Sequence, residues 1–272
     1  MNASRPPKSG SCALRGMVVV FIAAVLVFKF ASQHRKTSVS QPAIAARTPA
    51  VAPASAPPPG ARGFNNRMWY GSDAPKDIDS LLTRRNFLIV LDGSGSMTYA
   101  HCSGNLPKIV AAKQAIAAFA TKLKPEDNLG LCAFDSRGVT ERATLSLNRG
   151  AFNEALQAVR SDSNTPLGTA VALGYTLLRK QAQRQLGYGE YYLIVVTDGE
   201  ADRGNDPRNI VNKVVSESPV VISTIGFCIG EGHSLNRPGL TLYHDATNLE
   251  QLNQGLESVL AESEFSADSA GK

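Results

Sequence analysis

A chain of 272 residues has room for one large domain or two small ones, and an apolar fraction of 43% is ordinary for a globular protein. The net charge of +5 comes from one end: residues 1–62 carry eight Lys and Arg and no Asp or Glu, and beyond them 20 Lys and Arg face 23 Asp and Glu. The folded part is therefore mildly acidic (formal charge −3), which argues against nucleic acid as a partner, because phosphate binding needs a basic face.

In chain order, residues 1–16 form a basic segment, with Arg5, Lys8 and Arg15 ahead of an unbroken apolar run of twelve residues, Met17–Phe28. That order matches a secretory signal or an anchor. As helix the run rises only about 18 Å, short of a bilayer core of about 30 Å. Extension through a snorkelling Lys29 to Ala31 lengthens it. No small-x-small cleavage site follows closely, and Ala43-x-Ala45 lies far downstream. The expectation is a single-pass membrane anchor over 17–31 with an extracytoplasmic domain, periplasmic or cell-surface; secretion after cleavage is the alternative. Lys and Arg flank the run equally, so the orientation stays open. Residues 32–62, with Pro42, Pro49, Pro53, Pro57, Pro58 and Pro59 among Ala and Ser, read as a semi-extended linker. Residues 63–85 are a lead-in whose Trp69, the only tryptophan, is expected to pack onto the domain.

From residue 86 strands and helices alternate to residue 263. Phe87–Leu91 is an apolar run that reads as a buried strand, and Pro107 to Leu123 carries apolar residues at helical spacing. Strands are expected at Leu129–Phe134, Thr140–Leu147, Tyr192–Thr197, Val220–Phe227 and Thr241–His244. Helices are expected at Phe152–Arg160, Leu167–Gln185, Ile210–Ser216 and Leu249–Leu260; residues 264–272 read as a flexible tail. The alternation predicts an α/β fold: a doubly wound, mostly parallel central sheet with one antiparallel edge strand (Thr140–Leu147) and helices on both faces.

Ligands of such sheets bind at the carboxyl ends of the strands. Three loops belong there. Asp92-Gly93-Ser94-Gly95-Ser96 follows the first strand, Thr197-Asp198-Gly199-Glu200 follows the Tyr192–Thr197 strand, and Asn164-Thr165-Pro166-Leu167-Gly168 opens a helix. A carboxylate and two hydroxyls at alternate positions make a cluster of hard oxygens, suited to Mg²⁺ or Mn²⁺ and unsuited to a soft metal.

On these residues the chain resembles the von Willebrand factor type A domain family, over about 86–261. The D-x-S-x-S loop (Asp92, Ser94, Ser96), the T-P-L-G segment (Thr165) and the T-D-G-E turn (Asp198) occur in the family's order, and Ile225-Gly226-Phe227-x-Ile229-Gly230 matches its late strand. The resemblance implies a Rossmann-like fold and a metal-ion-dependent adhesion site. In it Ser94, Ser96 and Thr165 supply hydroxyl oxygens to Mg²⁺ or Mn²⁺. Asp92 and Asp198 supply charge partly through water, and a protein partner presenting an acidic residue completes the shell. It implies an interaction module with no small-molecule substrate, and a last helix, Leu249–Leu260, able to shift.

Other readings are weaker. Serine and aspartate also cap helices, which is what these loops would do in a degenerate member. Gly93-x-Gly95 lacks the third glycine of a dinucleotide fingerprint, and Asp92 would repel a pyrophosphate. A phosphotransferase of the haloacid-dehalogenase type would have a second Asp where Ser94 stands, and no Gly-x-Ser-x-Gly elbow exists for a hydrolase. His101 and His233 read as solvated loop residues, Glu200 and Asp202 as an acidic rim. An assembly scaffold with the same fold stays open. Cys12, Cys102, Cys132 and Cys228 make no zinc spacing. Cys132 reads as a small buried hydrophobe, and a Cys102–Cys228 disulfide is left open.

Overall fold

The computed structural model describes residues 69–71, 75 and 77–270, with side chains to residue 264. Strand β1 (Arg85–Asp92) is buried at every position, as expected of a central strand covered on both sides. Its parallel neighbours are β2 (Asn128–Asp135) and β4 (Glu190–Thr197). Beyond β2 lies β3 (Gly138–Ser146), antiparallel and half-exposed; beyond β4 lie β5 (Val221–Phe227) and β6 (Leu242–Ala246), both parallel. The sheet order is β3-β2-β1-β4-β5-β6.

Alternate residues of β1 enter two separate cores. Phe87, Ile89 and Leu91 pack beneath α1 (Lys108–Lys122), α2 (Arg149–Gln157) and α5 (Leu249–Ala270). Leu88 and Val90 pack beneath α3 (Leu167–Arg184) and α4 (Arg208–Glu217). This is the doubly wound α/β sheet the alternation predicts, with its one antiparallel edge strand.

Two helices depart most from the expected boundaries, while Trp69 packs onto the domain as expected. Helix α2 starts at Arg149 rather than Phe152, because the Asn148 side chain accepts the Ala151 N–H at 3.0 Å and caps it there. Helix α5 continues to Ala270, through residues 264–270 read as tail; no Pro or Gly interrupts 261–270. Trp69 is 5% exposed, its ring 4.9 Å from that of Tyr191 and 6.5 Å from that of Tyr175.

The expectation of a membrane anchor with an extracytoplasmic domain is corrected. Among the described residues no helix is long and apolar enough to cross a membrane. Residues 17–31 themselves lie outside the described residues. The twelve-residue apolar run was too short by itself to make the case, since it falls well below the ~20 residues a spanning helix needs.

The sheet positions the site. The chain runs from β1 outward to β3, then returns to the far side of β1 as β4. Strand order therefore reverses between β1 and β4, where open α/β sheets form a crevice at their carboxyl ends. Asp92 closes β1 and Asp198 follows β4, one on each lip.

Candidate metal centre

Asp92 is fully buried. Its Oδ1 accepts the Ser94 N–H at 2.7 Å, and its Oδ2 accepts the Thr197 hydroxyl at 2.6 Å. Burial pushes its carboxyl up to about 6 against the pull of those hydrogen bonds. A carboxylate held so deep is costly to charge alone and is favoured by a cation nearby.

Gly93 lets the loop turn. A Cβ there would run into the backbone carbonyls of Phe134 and Arg160. Its N–H donates to Phe134 O at 2.9 Å, and its own carbonyl accepts Asp162 N–H (3.0 Å) and Ser163 N–H (3.2 Å). Gly95 N–H donates to Ser163 O at 2.9 Å. The D-x-S-x-S loop is thereby laced to the segment that leads into Thr165.

The hydroxyls converge on Asp198. Ser94 Oγ and Ser96 Oγ are 2.9 Å apart, and Ser96 donates to Asp198 Oδ1 at 2.6 Å. Ser96 Oγ and Thr165 Oγ1 each lie 3.9 Å from where a Cβ on Gly199 would stand, so the third loop reaches the same crevice. Thr165 is 8% exposed; among the described residues its hydroxyl makes no hydrogen bond to the protein, and it is not one of the fully buried polar atoms left without a partner. The crevice thus brings together all five residues singled out in the sequence.

The donor set fits Mg²⁺ or Mn²⁺. It consists of hard oxygens, two of them carboxylates with charge to offer, and one hydroxyl without a partner. Among the described residues no cluster of three or more His, Cys, Asp or Glu could hold a metal ion, so hydroxyls would have to share the work, as they do for hard cations.

Two contributors escape the sequence reading. Lys108, at the start of α1, is buried, and its Nζ lies 2.7 Å from Asp198 Oδ2. A lysine opening a helix reads as solvated; the signal to the contrary is its register with Ala111, Ala112 and Ala115 on the buried stripe. Asp202, read as acidic rim, instead clamps the third loop: its Oδ2 accepts the Thr165 N–H at 2.8 Å, and its own N–H donates to Thr165 O at 3.0 Å. Glu200 accepts the Ser234 N–H at 3.0 Å.

His233 corrects an expectation. It is 3% exposed rather than solvated: Nδ1 accepts the Leu235 N–H at 3.1 Å, which leaves Nε2 to donate to Gly199 O at 3.0 Å. The loop after β5 is therefore tied to the residue that follows Asp198. A disulfide between Cys102 and Cys228, Cα atoms 6.1 Å apart, binds the same loop to the segment following the D-x-S-x-S turn. Cys132 is buried inside β2, and burial pushes its thiol up to about 12. His101 is exposed, as expected. On the segment between the site and α1, Tyr99 stands 67% exposed and Leu106 37%.

Residues 87–200 match the family model described as the von Willebrand factor type A domain. The uncharacterized protein YwmD of Bacillus subtilis (strain 168) is 27% identical over 157 residues, 52% of this chain and 67% of that protein. A solved von Willebrand factor type A structure from Catenulispora acidiphila is similar with a TM-score of 0.55 at 19% identity, over 66% of this chain and 43% of that one. This chain thus spans less than half of that molecule. The vWF domain of the type V pili tip protein Mfa5 from Porphyromonas gingivalis is similar with a TM-score of 0.53 at 10% identity, over 66% of this chain and 96% of that one. At these identities the two structures speak for the fold.

Proposed function

We propose, from the match of residues 87–200 to the von Willebrand factor type A domain, that the chain is a divalent-ion-dependent protein-binding module. Asp92, Ser94, Ser96, Thr165 and Asp198 hold Mg²⁺ or Mn²⁺ in the crevice between β1 and β4. An ion held there supplies a Lewis-acidic point that accepts a carboxylate oxygen from a partner protein. The observation that carries the reading is the convergence of three loops on one patch of oxygens.

The chain's own residues divide the work. Asp92, with both oxygens already engaged, sets the charge beneath the site and fixes the turn that aims Ser94 and Ser96. Asp202 aims Thr165. Exposed Tyr99 and Leu106 offer apolar surface on the neighbouring loop, and aromatic side chains are over-represented where proteins bind one another. The reading is non-enzymatic: buried His233, bonded to Gly199 O beside Asp198, has both ring nitrogens engaged in the loop. The pilus tip protein among the similar folds is in keeping with a module that binds other proteins.

One observation favours a second reading, an assembly component whose metal site is vestigial: Lys108 already neutralises Asp198. Capture of partners from an extract of the source cells separates the two, with the whole chain as bait in Mg²⁺, in EDTA, and as Asp92→Ala in Mg²⁺. A protein held only by the wild-type chain in Mg²⁺, and lost when its own contacting Asp or Glu is replaced, bears out the first reading. A partner held equally in all three conditions moves the assignment to the scaffold.

A further inference from the structure

Asp198 is surrounded before any ion arrives. Ser96 donates to its Oδ1 at 2.6 Å, and the Lys108 ammonium sits on its Oδ2 at 2.7 Å. The pair is shut away from water, with side-chain exposures of 8% for Lys108 and 0% for Asp198. The lysine has little freedom to leave. Its N–H donates to Tyr99 O at 2.9 Å, which pins the start of α1 to the loop after the site, and its stem lies along the buried stripe of that helix. Among the described residues it is the only cation paired with a predicted ligand.

We propose that Lys108 is the resident counter-cation of the site, and that its fixed charge sets how tightly a divalent ion is held. The inference rests on the metal-binding reading above. With two carboxylates and one ammonium, the cluster carries a formal charge of −1 in place of −2. Like charges in a partly desolvated crevice repel strongly, so the ammonium weakens the hold on any second cation there. The charge that Lys108 cancels is what a partner's carboxylate restores. Ion and partner therefore bind each other's complexes more tightly than either binds the bare site, a coupling that is reciprocal by linkage. In this design the ammonium keeps Asp198 ordered between binding events and keeps the ion exchangeable until an acidic partner arrives. Lys108 acts through Asp198 and is a positioning residue.

The test uses the whole chain and Mn²⁺ alone, with free Mn²⁺ followed by electron paramagnetic resonance. Lys108→Gln can still donate a hydrogen bond to Asp198 but carries no charge; Lys108→Arg keeps the charge. The expected result is that Lys108→Gln tightens Mn²⁺ binding by about tenfold or more, while Lys108→Arg stays near wild type. Equal or weaker binding by a folded Lys108→Gln overturns the proposal and leaves the metal reading standing. No Mn²⁺ bound by wild type or by Lys108→Gln overturns both. Lys108→Met gives a second readout through thermal stability: Mn²⁺ should raise its melting temperature more than that of wild type, and an equal or smaller rise contradicts the proposal.

Discussion

The two ends of strand β1 carry buried polar clusters of opposite character. At its start, Arg85 grips Asp127 through two nitrogens, at 2.9 and 2.6 Å, and its third reaches Ser263 Oγ at 2.8 Å. Asp127 also accepts the Lys124 N–H, and Asn86 bonds Gln185, Asn128 and the carbonyls of Arg84 and Glu190. Within that set charges cancel and donors meet acceptors, while Nε of the neighbouring Arg84 is buried without a partner. At its finish, Asp92 is pushed up to about 6 by burial, the Thr165 hydroxyl has no partner among the described residues, and Lys108 cancels only one of the two carboxylates. A closed network holds a fold together, whereas oxygens in excess of cations make a place for a cation. One strand supplies both, because its two ends open onto different loops.

The comparison can be broken at several points. Arg85→Ala strands a buried Asp127 carboxylate and should cost about 3 kcal/mol in urea unfolding while leaving Mn²⁺ affinity unchanged. A fall in Mn²⁺ affinity would show that the two ends are not independent.

A smaller effect tests whether a satisfied carboxylate near the site is also structural. Asp135 ends β2, and burial would raise its carboxyl. Hydrogen bonds from Arg137 and from the Arg160 N–H, with the charge of Arg142, outweigh that and hold it at about 2. Its folded value lies below its unfolded value of 3.8, so its contribution is present above pH ~4 and lost as pH falls towards 2. Acid should remove about 2 kcal/mol over that window, and Asp135→Asn should abolish this part of the pH dependence without altering Mn²⁺ binding at neutral pH.

Smaller still is the effect of the residue that aims Thr165. Asp202→Ala should weaken Mn²⁺ binding by about tenfold with little change in unfolding free energy. If instead the chain lost stability and kept its ion, Asp202 would belong with the closed networks.

The features legible in the sequence are those with a local signature. Period and composition suffice for β1, β4 and β5, whose apolar runs need burial on both faces, and for the antiparallel edge strand β3, where Ala143 and Leu145 alternate with polar residues. The D-x-S-x-S loop is a local pattern, and the T-P-L-G and T-D-G-E pieces each follow or open a recognisable element. What was not legible depends on distance. Lys108 meets Asp198 across 90 residues, and Asp202 meets Thr165 across 37. His233 is buried by a loop with no periodicity to announce it. The membrane-anchor expectation rested on a short apolar run beside basic residues, a compositional cue that falls outside the described residues, among which no helix is long and apolar enough to cross a membrane.

Titration of the whole wild-type chain and of Asp92→Ala with Mn²⁺, with folding of both verified by circular dichroism, tests the central claim most directly. The account predicts that the wild-type chain binds one ion and that the folded Asp92→Ala variant binds none at concentrations that saturate wild type. Mn²⁺ binding that survives Asp92→Ala unchanged, or a wild-type chain that binds no ion, would contradict it.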